Sequence, residues 1–531
     1  MEVTVRIDGA IRVPLTAPAR FRALLRGACT IRNPDRRTRR QRGAPEEESI
    51  CLAAEQGGDL VIPRGAYERV VKAAKESGVT VVWQSRSVSR GGPSVRVDGL
   101  RDYQEAAVDQ FLARRQILVD MPPGAGKTTM GAAAILRTGE PAIVLCPTND
   151  IADQWVARIE SAGGGRTVRR LTGSRSTREL DPSDVVVTGS ATSLLDRPAV
   201  INSAGILVAD EAHHGVSASW AAVINACPAR YRLGLTATPD RPDGWHVALP
   251  FLFGSTLVAT TARELISRGL LDQPLIIPVA TRWRPGRDCY PDVVRCTGCG
   301  VVREYKHGAE RGACPSRITN TAPPSTDGKP TPRTRTCGVA LDAIIAGAGS
   351  LNWTEAVNQF TVAPGRTAIA VELAAACAAA GRLTLLLVPR VDACARVCAA
   401  VRAAGASAAA ITGDADKAER RLRVEQFRAR RFSVLVATQL ADEGLDIPTL
   451  DAVIVTSAGK AAGRATQRAG RSSRPTGRRP LVFDLVDGGE EFQRQWRQRS
   501  RGCADEFGAS SIACANEIPV GAALEYLRRF P

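Results

Sequence analysis

Short apolar runs alternate with helix-like segments along two stretches of the chain. Between residues 98 and 260 the runs are "QILVD", "AIVLCP", "DVVVTG", "GILVAD" and "RLGLTAT". A second set, "LTLLLVP", "AAAIT", "SVLVAT", "AVIVTS" and "PLVFDLV", falls between 383 and 486. Runs that are apolar throughout are typical of parallel strands covered by helices on both faces. The pattern predicts an α/β protein with two tandem parallel-sheet domains.

The flanking segments have different patterns. At the amino terminus "VTVRI", "DLVIP" and "VTVVW" surround one helical segment, "AYERVVKAAKE", which predicts a small α+β module, and "SRGGPS" is typical of a linker. A Cys-containing segment rich in Pro, Thr, Arg and Gly lacks apolar periodicity and is expected to be an insertion. The predicted divisions are 1–92 for the module, 98–260 and 360–488 for the sheet domains, 273–350 for the insertion and 489–531 for a basic tail.

Composition adds an expected partner. The chain has 531 residues, with 71 Lys and Arg against 54 Asp and Glu, a formal charge of +17. That excess favours a polyanion, and nucleic acid above all. The sequence shows no signal peptide and no apolar run of the ~18 residues that a spanning helix needs. We expect a cytoplasmic or nucleoid-associated protein whose 14 cysteines are thiols or metal ligands.

The stretch "MPPGAGKTTM" lies between an apolar run and a helical segment. A phosphate-binding loop needs converging backbone N–H groups, glycines, a lysine for the β and γ phosphates and a hydroxyl for Mg²⁺. The sequence departs from the usual pattern at Met121, where glycine is expected, and the alternative is a Gly- and Pro-rich loop that happens to contain a lysine. The predicted ATP-binding residues here are Gly124, Ala125, Gly126, Lys127, Thr128 and Thr129.

The run "GILVADEAHH" ends in adjacent carboxylates. Mg²⁺ prefers oxygen ligands, and nucleotide sites form at the carboxyl ends of parallel strands. Asp210 is predicted to hold Mg²⁺ together with Thr128, and Glu211 to polarise the attacking water. His213 is predicted to relay hydrogen bonds from this site to residues across the cleft. The alternative is a solvated turn at a strand end.

The order and spacing of these motifs resemble the superfamily 2 helicases and translocases of the DEAD/DEAH type over most of residues 98–486. "PPGAGKT" is similar to motif I, "DEAH" to motif II, "TAT" at 236–238 to motif III and "CPTNDIADQW" to motif Ia. "VLVATQLADEGLDIP" and "QRAGRSSRP" resemble motifs V and VI. The resemblance implies two RecA-like lobes that share one ATP, with Gln104 of "LRDYQ" sensing the adenine.

The resemblance also assigns residues of the second lobe. It implies Gln467, Arg471 and Arg474 as catalytic residues, and Asp446 as a nucleotide contact. Arginines that reach a transferring phosphoryl group are worth about 10³ to 10⁵ in rate. The alternative for this segment is a solvated basic run. Contacts with the nucleic acid strand are implied for Thr148, Thr188 and Thr438.

Within the superfamily, "DEAHH", "LGLTATPDRPDG" and "GLDIPTLDAVI" are more similar to the XPB-like and type III restriction branch than to the RNA-specific branch. Duplex DNA is therefore the favoured partner, and an RNA helicase stays open. Two other hypotheses are a nucleic-acid-stimulated ATPase that switches or loads without unwinding, and a binding protein with an inactive ATP site. Intact Lys127, Asp210 and Glu211 disfavour the latter.

The cysteines of the insertion indicate a structural Zn²⁺. Cys296 and Cys299 have the C-x-x-C spacing of a zinc knuckle, and Cys314 and Cys337 would complete four thiolates. His307 is an alternative fourth ligand, Cys289 is a spare, and free thiols are the competing interpretation. Outside the insertion, Trp496 between arginines is a candidate for stacking on a base.

Overall fold

The computed structural model describes residues 1–36, 47–92, 94–171, 178–237, 243–286, 352–412, 415–438, 450–456, 470 and 477–531, and the backbone of five short strands between 292 and 345. The described residues form an amino-terminal sheet and two larger parallel sheets. This confirms the prediction of an α/β protein with two tandem parallel-sheet domains. We call them the front lobe and the rear lobe in chain order.

The amino-terminal module is a five-stranded sheet in the order β5-β6-β2-β1-β7 with two helices. Its core is the apolar face of the alternating strands predicted from the sequence, together with Phe21 and Leu25 of the first helix. The strands are β1 (Glu2–Ile7), β2 (Ala10–Pro14), β5 (Ala54–Gln56), β6 (Asp59–Pro63) and β7 (Thr80–Ser85), with β3 (Thr30–Arg32) and β4 (Ser49–Cys51) in a separate pair; the helices are α1 (Ala19–Ala28) and α2 (Tyr67–Ser77).

This module is docked on the front lobe through two buried arginines. The guanidinium of Arg64 donates to the carbonyl oxygens of Asp8 at 2.9 Å and Arg230 at 3.0 Å. That of Arg232 donates to Gly9 O at 3.2 Å. Gly65 lies so close to the front lobe that an added Cβ would overlap the backbone. The two parts therefore form one packed unit.

The front lobe is a seven-stranded, wholly parallel sheet in the order β10-β11-β9-β12-β13-β8-β14. Its central strands are buried on both faces, which explains why they are apolar throughout. The strands are β8 (Gln116–Asp120), β9 (Ala142–Leu145), β10 (Thr167–Arg170), β11 (Asp184–Thr188), β12 (Ile206–Asp210), β13 (Tyr231–Thr236) and β14 (Thr256–Val258); the helices are α3 (Asp102–Arg114), α4 (Lys127–Thr138), α5 (Asn149–Ala162), α6 (Ala191–Leu195), α7 (Pro198–Ser203), α8 (Ala218–Ala226), α9 (Leu249–Phe253) and α10 (Ala262–Ser267).

The rear lobe is a six-stranded parallel sheet in the order β15-β25-β24-β21-β23-β22. Its edge strand, β15, precedes the insertion in the chain, although residues 273–350 were predicted to be one insertion. The insertion therefore interrupts the rear lobe after its first strand. The strands are β15 (Leu275–Ala280), β21 (Thr384–Val388), β22 (Ala408–Ile411), β23 (Val434–Thr438), β24 (Ala452–Val455) and β25 (Leu481–Val486); the helices are α11 (Trp353–Val362), α12 (Pro364–Ala379), α13 (Val391–Ala403) and α14 (Lys417–Arg428).

The predicted basic tail is part of the rear lobe. Helices α15 (Glu490–Phe507) and α16 (Val520–Arg529) cover the two faces of the rear sheet. Trp496 is buried in α15 and donates its indole N–H to Ala515 O at 2.9 Å. The prediction that Trp496 stacks on a base is therefore wrong, because the ring belongs to the core.

The insertion is described by its backbone strands alone. A three-stranded antiparallel sheet contains β16 (Asp292–Arg295), β17 (Val302–Tyr305) and β20 (Ala343–Ile345), and β18 (Arg317–Thr321) pairs with β19 (Pro332–Thr336). Among the described residues no single helix is long and apolar enough to cross a membrane; taken together, α11 and α12 are, with a bend of 65° between them.

Candidate active site

The phosphate-binding loop lies between β8 and α4, as predicted. Gly124 and Gly126 have φ angles of +82° and +85°, a left-handed conformation that favours glycine. Lys127 is the first residue of α4, and its Nζ lies 3.4 Å from Met121 O. The loop thus leads into a helix N-terminus, where unpaired N–H groups and the helix dipole favour an anion.

Met121, the departure from the usual motif, leaves the loop intact. Its backbone N–H donates to Thr236 O at 3.0 Å, and its side chain is buried in the core of the front lobe. The methionine therefore points away from the phosphate cradle. A side chain at this position costs the site no phosphate contact.

Gln104 and Tyr103 of α3 hold the loop from the other side. The side chain of Gln104 accepts the N–H of Arg101 at 3.0 Å and donates to Ala125 O at 2.9 Å, and the hydroxyl of Tyr103 donates to the same oxygen at 2.8 Å. In this structure Gln104 therefore contacts the phosphate loop directly. The position of this side chain is therefore coupled to the conformation of the loop, and its contact with adenine stays a prediction.

The predicted carboxylates lie at the carboxyl end of β12. Asp210 is buried, and its Oδ1 accepts the N–H of Glu211 at 2.9 Å. Burial, and next the charge of Glu211, raise the pKa of Asp210 to about 6. Glu211 has φ and ψ of +48° and +55°, a strained conformation for a residue with a side chain, and such strain clusters at functional sites.

Within the described part of the chain, Glu211 Oε2 is buried without a hydrogen-bond partner. His213 Nδ1 lies 3.5 Å from that oxygen and 3.4 Å from Thr236 Oγ1. His213 thus joins the end of β12 to the end of β13. Both contacts lie within the front lobe, and the relay to residues across the cleft stays a prediction.

The residues present suit Mg²⁺ as part of a nucleotide complex. Asp210 offers carboxylate oxygens, and Thr128 offers a hydroxyl in the first turn of α4. Hard oxygen donors beside a phosphate loop are what Mg²⁺ prefers. Lys127, Asp210 and Glu211 are therefore brought together, whereas the segment that resembles motif VI has a single described member.

That member is Gly470, which lies immediately before Arg471 in the sequence. A Cβ added to Gly470 would lie 2.9 Å from Cγ and 3.1 Å from Cβ of Pro123 in the phosphate loop. Arg420 Nη1 also lies 3.7 Å from Asp150 Oδ2 across the same cleft. The two lobes therefore meet at the phosphate loop. Four predicted site residues, Gln467, Arg471, Arg474 and Asp446, lie outside the described residues.

A further group near the loop comes from the end of α15. Burial and the Asp120 carboxylate raise the pKa of Glu506, while Arg263 and Lys127 lower it. In addition, Arg263 donates to Ala504 O at 2.7 Å. The rear-lobe helix is thus packed beside the base of the phosphate loop, which nothing in the sequence pattern indicated.

The three threonines predicted to contact nucleic acid differ in exposure. Thr148 is partly exposed and caps α5 by accepting the N–H of Ile151 at 3.3 Å. Thr188 is fully buried, and its hydroxyl bonds with the backbone of Ser190. Thr438 is also buried. In this structure the hydroxyl of Thr188 therefore holds the backbone of its turn. The nucleic-acid contacts of Thr148, Thr188 and Thr438 stay predictions.

The predicted zinc ligands Cys296, Cys299, Cys314 and Cys337, with the alternatives His307 and Cys289, lie outside the described residues. In the part of the chain that is described, no cluster of His, Cys, Asp and Glu is arranged to hold a metal ion. The Zn²⁺ site stays a prediction.

Two residues of α5 that contact this site were missed. Trp155 donates its indole N–H to Asp210 Oδ2 at 2.7 Å, and Arg158 Nη2 lies 2.8 Å from Thr129 Oγ1. Trp155 and Arg158 lie one turn apart on the same face of α5. In the sequence, the indication of this contact was limited to one observation: Trp155 is the last residue of the segment that resembles motif Ia.

Two family models match the lobes. Residues 98–241 match the res subunit of type III restriction enzymes, and residues 366–476 match the helicase conserved C-terminal domain. The solved structure of S. cerevisiae Dbp5 bound to RNA and ADP BeF3 has a TM-score of 0.52 and 14% sequence identity, and covers 81% of this chain and 93% of that one. This likeness concerns the fold.

Curated relatives point the same way. A putative DNA 3'-5' helicase Rad25 of Halobacterium salinarum is 25% identical over 406 residues, which are 76% of this chain and 56% of the relative. The DNA 3'-5' translocase XPB2 of Sulfurisphaera tokodaii is 29% identical over 178 residues, 32% of this chain and 37% of the relative. The chain thus spans about half or less of the length of these relatives.

The phosphate loop, the acidic strand end and the two parallel sheets that meet beside them define a two-lobed nucleoside-triphosphatase. The family matches narrow this class. The two lobes match family models of superfamily 2 helicases and translocases, and the relatives of the chain include members of the XPB and Rad25 type.

Proposed function

We propose that this protein is an ATP-driven helicase or translocase that acts on duplex DNA. The contact between Gly470 and Pro123 carries the proposal, because Gly470, which directly precedes Arg471 in the sequence, lies against the phosphate loop of the other lobe. A site completed by both lobes makes hydrolysis depend on their closure. Closure then changes the relative positions of nucleic-acid contacts on the two lobes.

The front lobe supplies most of the chemistry. Lys127 and the N-terminus of α4 bind the phosphates, Asp210 and Thr128 would hold Mg²⁺, and Glu211 orients the attacking water. Bound Mg²⁺ supplies charge neutralisation for the phosphoryl oxygens. Arg471 and Arg474 would neutralise the remaining charge from the rear lobe, and removal of either is expected to slow turnover by about 10³-fold or more.

Two observations support DNA as the partner. The formal charge of +17 suits a polyanion, and the relatives named above are described as DNA helicases or translocases. RNA is the alternative. ATP turnover should be compared across duplex DNA, single-stranded DNA and RNA at one salt concentration, because phosphate contacts are strongly salt-dependent. Stimulation by RNA alone would overturn the choice of DNA.

The site assignment has a direct test. Lys127→Ala and Glu211→Gln are each expected to reduce nucleic-acid-stimulated ATP turnover to background. Lys72→Ala is the matched control, since this lysine is exposed on the amino-terminal module. Turnover at the wild-type rate in either site variant would refute the assignment.

Movement is tested separately from hydrolysis. Strand displacement identifies a helicase, whereas displacement of a third strand from a triplex without unwinding identifies a translocase. If nucleic acid stimulates hydrolysis but the protein displaces neither a strand of the duplex nor the third strand of the triplex, it is an ATP-dependent switch or loading factor. The motor proposal then fails.

We also propose that the insertion binds one structural Zn²⁺. The pairing of Arg295 with Val302 puts the C-x-x-C segment between two paired strands, and the pairing of Arg317 with Thr336 brings together the chain ends that adjoin Cys314 and Cys337. Metal analysis should give about one equivalent of zinc per chain. Cys296→Ser should lose the bound zinc, whereas Cys51→Ser, on the exposed β4, should keep it. Less than half an equivalent of zinc per chain in the wild type would refute the site.

A further inference from the structure

Trp155 connects α5 to the carboxylate of Asp210. The indole is fully buried, and its Nε1 lies 2.7 Å from Asp210 Oδ2. A bond from a neutral donor to a carboxylate is stronger and more directional than one between neutral groups. It fixes one oxygen of Asp210, and the backbone N–H of Glu211 fixes the other at 2.9 Å. Together they define the plane of the carboxylate.

The surroundings keep the indole in place. Gly131 of α4 leaves room for the ring, because a Cβ at this position would overlap the Trp155 side chain. Arg158, one turn further along α5, contacts Thr129 Oγ1 of α4 at 2.8 Å. The helix that carries Trp155 is thus held against the helix that begins with Lys127. The orientation of the indole is therefore determined by packing and by a contact beside the phosphate loop.

We propose that Trp155 is a positioning residue for Mg²⁺–nucleotide binding, and that it acts by orienting the carboxylate of Asp210. The proposal rests on the function proposed above. It adds a residue from outside the phosphate loop and the acidic strand end to the nucleotide site. Hydrogen-bond partners that orient a metal-binding group are typically worth about 10- to 100-fold in metal affinity or activity.

The test is nucleotide affinity with and without the metal. Binding of N-methylanthraniloyl-ADP, excited directly, is titrated in EDTA and then across a range of Mg²⁺ concentrations. Trp155→Phe keeps an aromatic ring and removes the N–H donor. We expect its affinity in EDTA to stay within about twofold of wild type, and the Mg²⁺ concentration for half-maximal tightening to rise about 10-fold or more. General damage to the fold would weaken both.

Trp496→Phe is the matched control. Trp496 is equally buried and donates its indole N–H to a carbonyl at 2.9 Å, but it lies in the core of the rear lobe. Its Mg²⁺ dependence should match the wild type. If Trp155→Phe folds poorly, benzothienylalanine at position 155 keeps the ring size and lacks the N–H, and it should show the same loss.

The outcomes separate the two proposals. Wild-type Mg²⁺ dependence in Trp155→Phe or in the benzothienylalanine protein would overturn the role of Trp155 and leave the proposed function standing. A wild-type protein that binds no nucleotide at all would overturn the proposed function itself, and this inference with it.

Discussion

Gly470→Ala tests whether the contact between the lobes controls hydrolysis. The glycine lies beside Pro123 of the phosphate loop, and its φ is outside the left-handed region, so alanine introduces no backbone strain. The substitution adds one methyl group at the junction of the lobes. It removes no group that the proposed chemistry uses.

The size of the effect follows from the distances. The new Cβ would lie 2.9 Å from Pro123 Cγ, whereas carbon atoms pack at about 3.5–4.0 Å, so the lobes must separate by about 0.6–1.1 Å. A misplacement of about 1 Å costs roughly 10²-fold in rate when geometry controls the reaction. We therefore expect DNA-stimulated kcat to fall by about 10- to 100-fold. Binding of ADP should change little, because Lys127 belongs to the front lobe.

The assay is steady-state ATP turnover with saturating DNA, together with a thermal melt. Gly365→Ala is the control, since a Cβ there meets nothing within 4 Å on the rear lobe. Pro123→Ala combined with Gly470→Ala removes the nearest clashing atom and should restore part of the rate. If Gly470→Ala alone has kcat within twofold of wild type, the two lobes do not need this approach for hydrolysis.

Two further predictions concern stability and docking. Arg499→Met should destabilise the rear lobe by about 3–5 kcal/mol, because it leaves the buried Asp484 carboxylate unpaired. Arg494→Met, on the exposed face of the same helix, should cost less than about 1 kcal/mol. Chemical denaturation measures the difference in the free energy of unfolding. Gly65→Ala should loosen the amino-terminal module and increase proteolysis in the linker, because the added Cβ overlaps the front lobe. Gly27→Ala lies inside α1, where a Cβ meets nothing within 4 Å, and should stabilise the protein by about 0.5–1 kcal/mol. Equal cleavage of the two variants would contradict the docked arrangement.

The sequence was sufficient for the parts of the fold that depend on local pattern. Strands buried on both faces are apolar throughout, so both sheets were visible as runs of Val, Ile and Leu. The phosphate loop and the acidic end of β12 were found because their residues are adjacent in the chain. Lys127, Asp210 and Glu211 accordingly lie where they were expected.

Contacts between distant segments were not predictable in this way. Trp155 and Asp210 are 55 residues apart, and no local pattern indicates that one donates to the other. The arginines around Trp496 suggested a surface, although Phe492, Trp496 and Phe507 follow the helical spacing of a buried stripe. Likewise β15 was assigned to the insertion, because the sequence of a single edge strand does not indicate which sheet the strand joins.

The two accessory parts of the chain are mounted on different lobes. Arg64 and Arg232 attach the amino-terminal module to the front lobe, whereas the insertion leaves the rear lobe after β15 and the chain returns to that lobe at α11. Under the proposed closure of the lobes, the distance between the module and the insertion changes with the nucleotide state. A duplex long enough to contact both the module and the insertion would then be strained once in every turnover, independently of any contact inside the cleft.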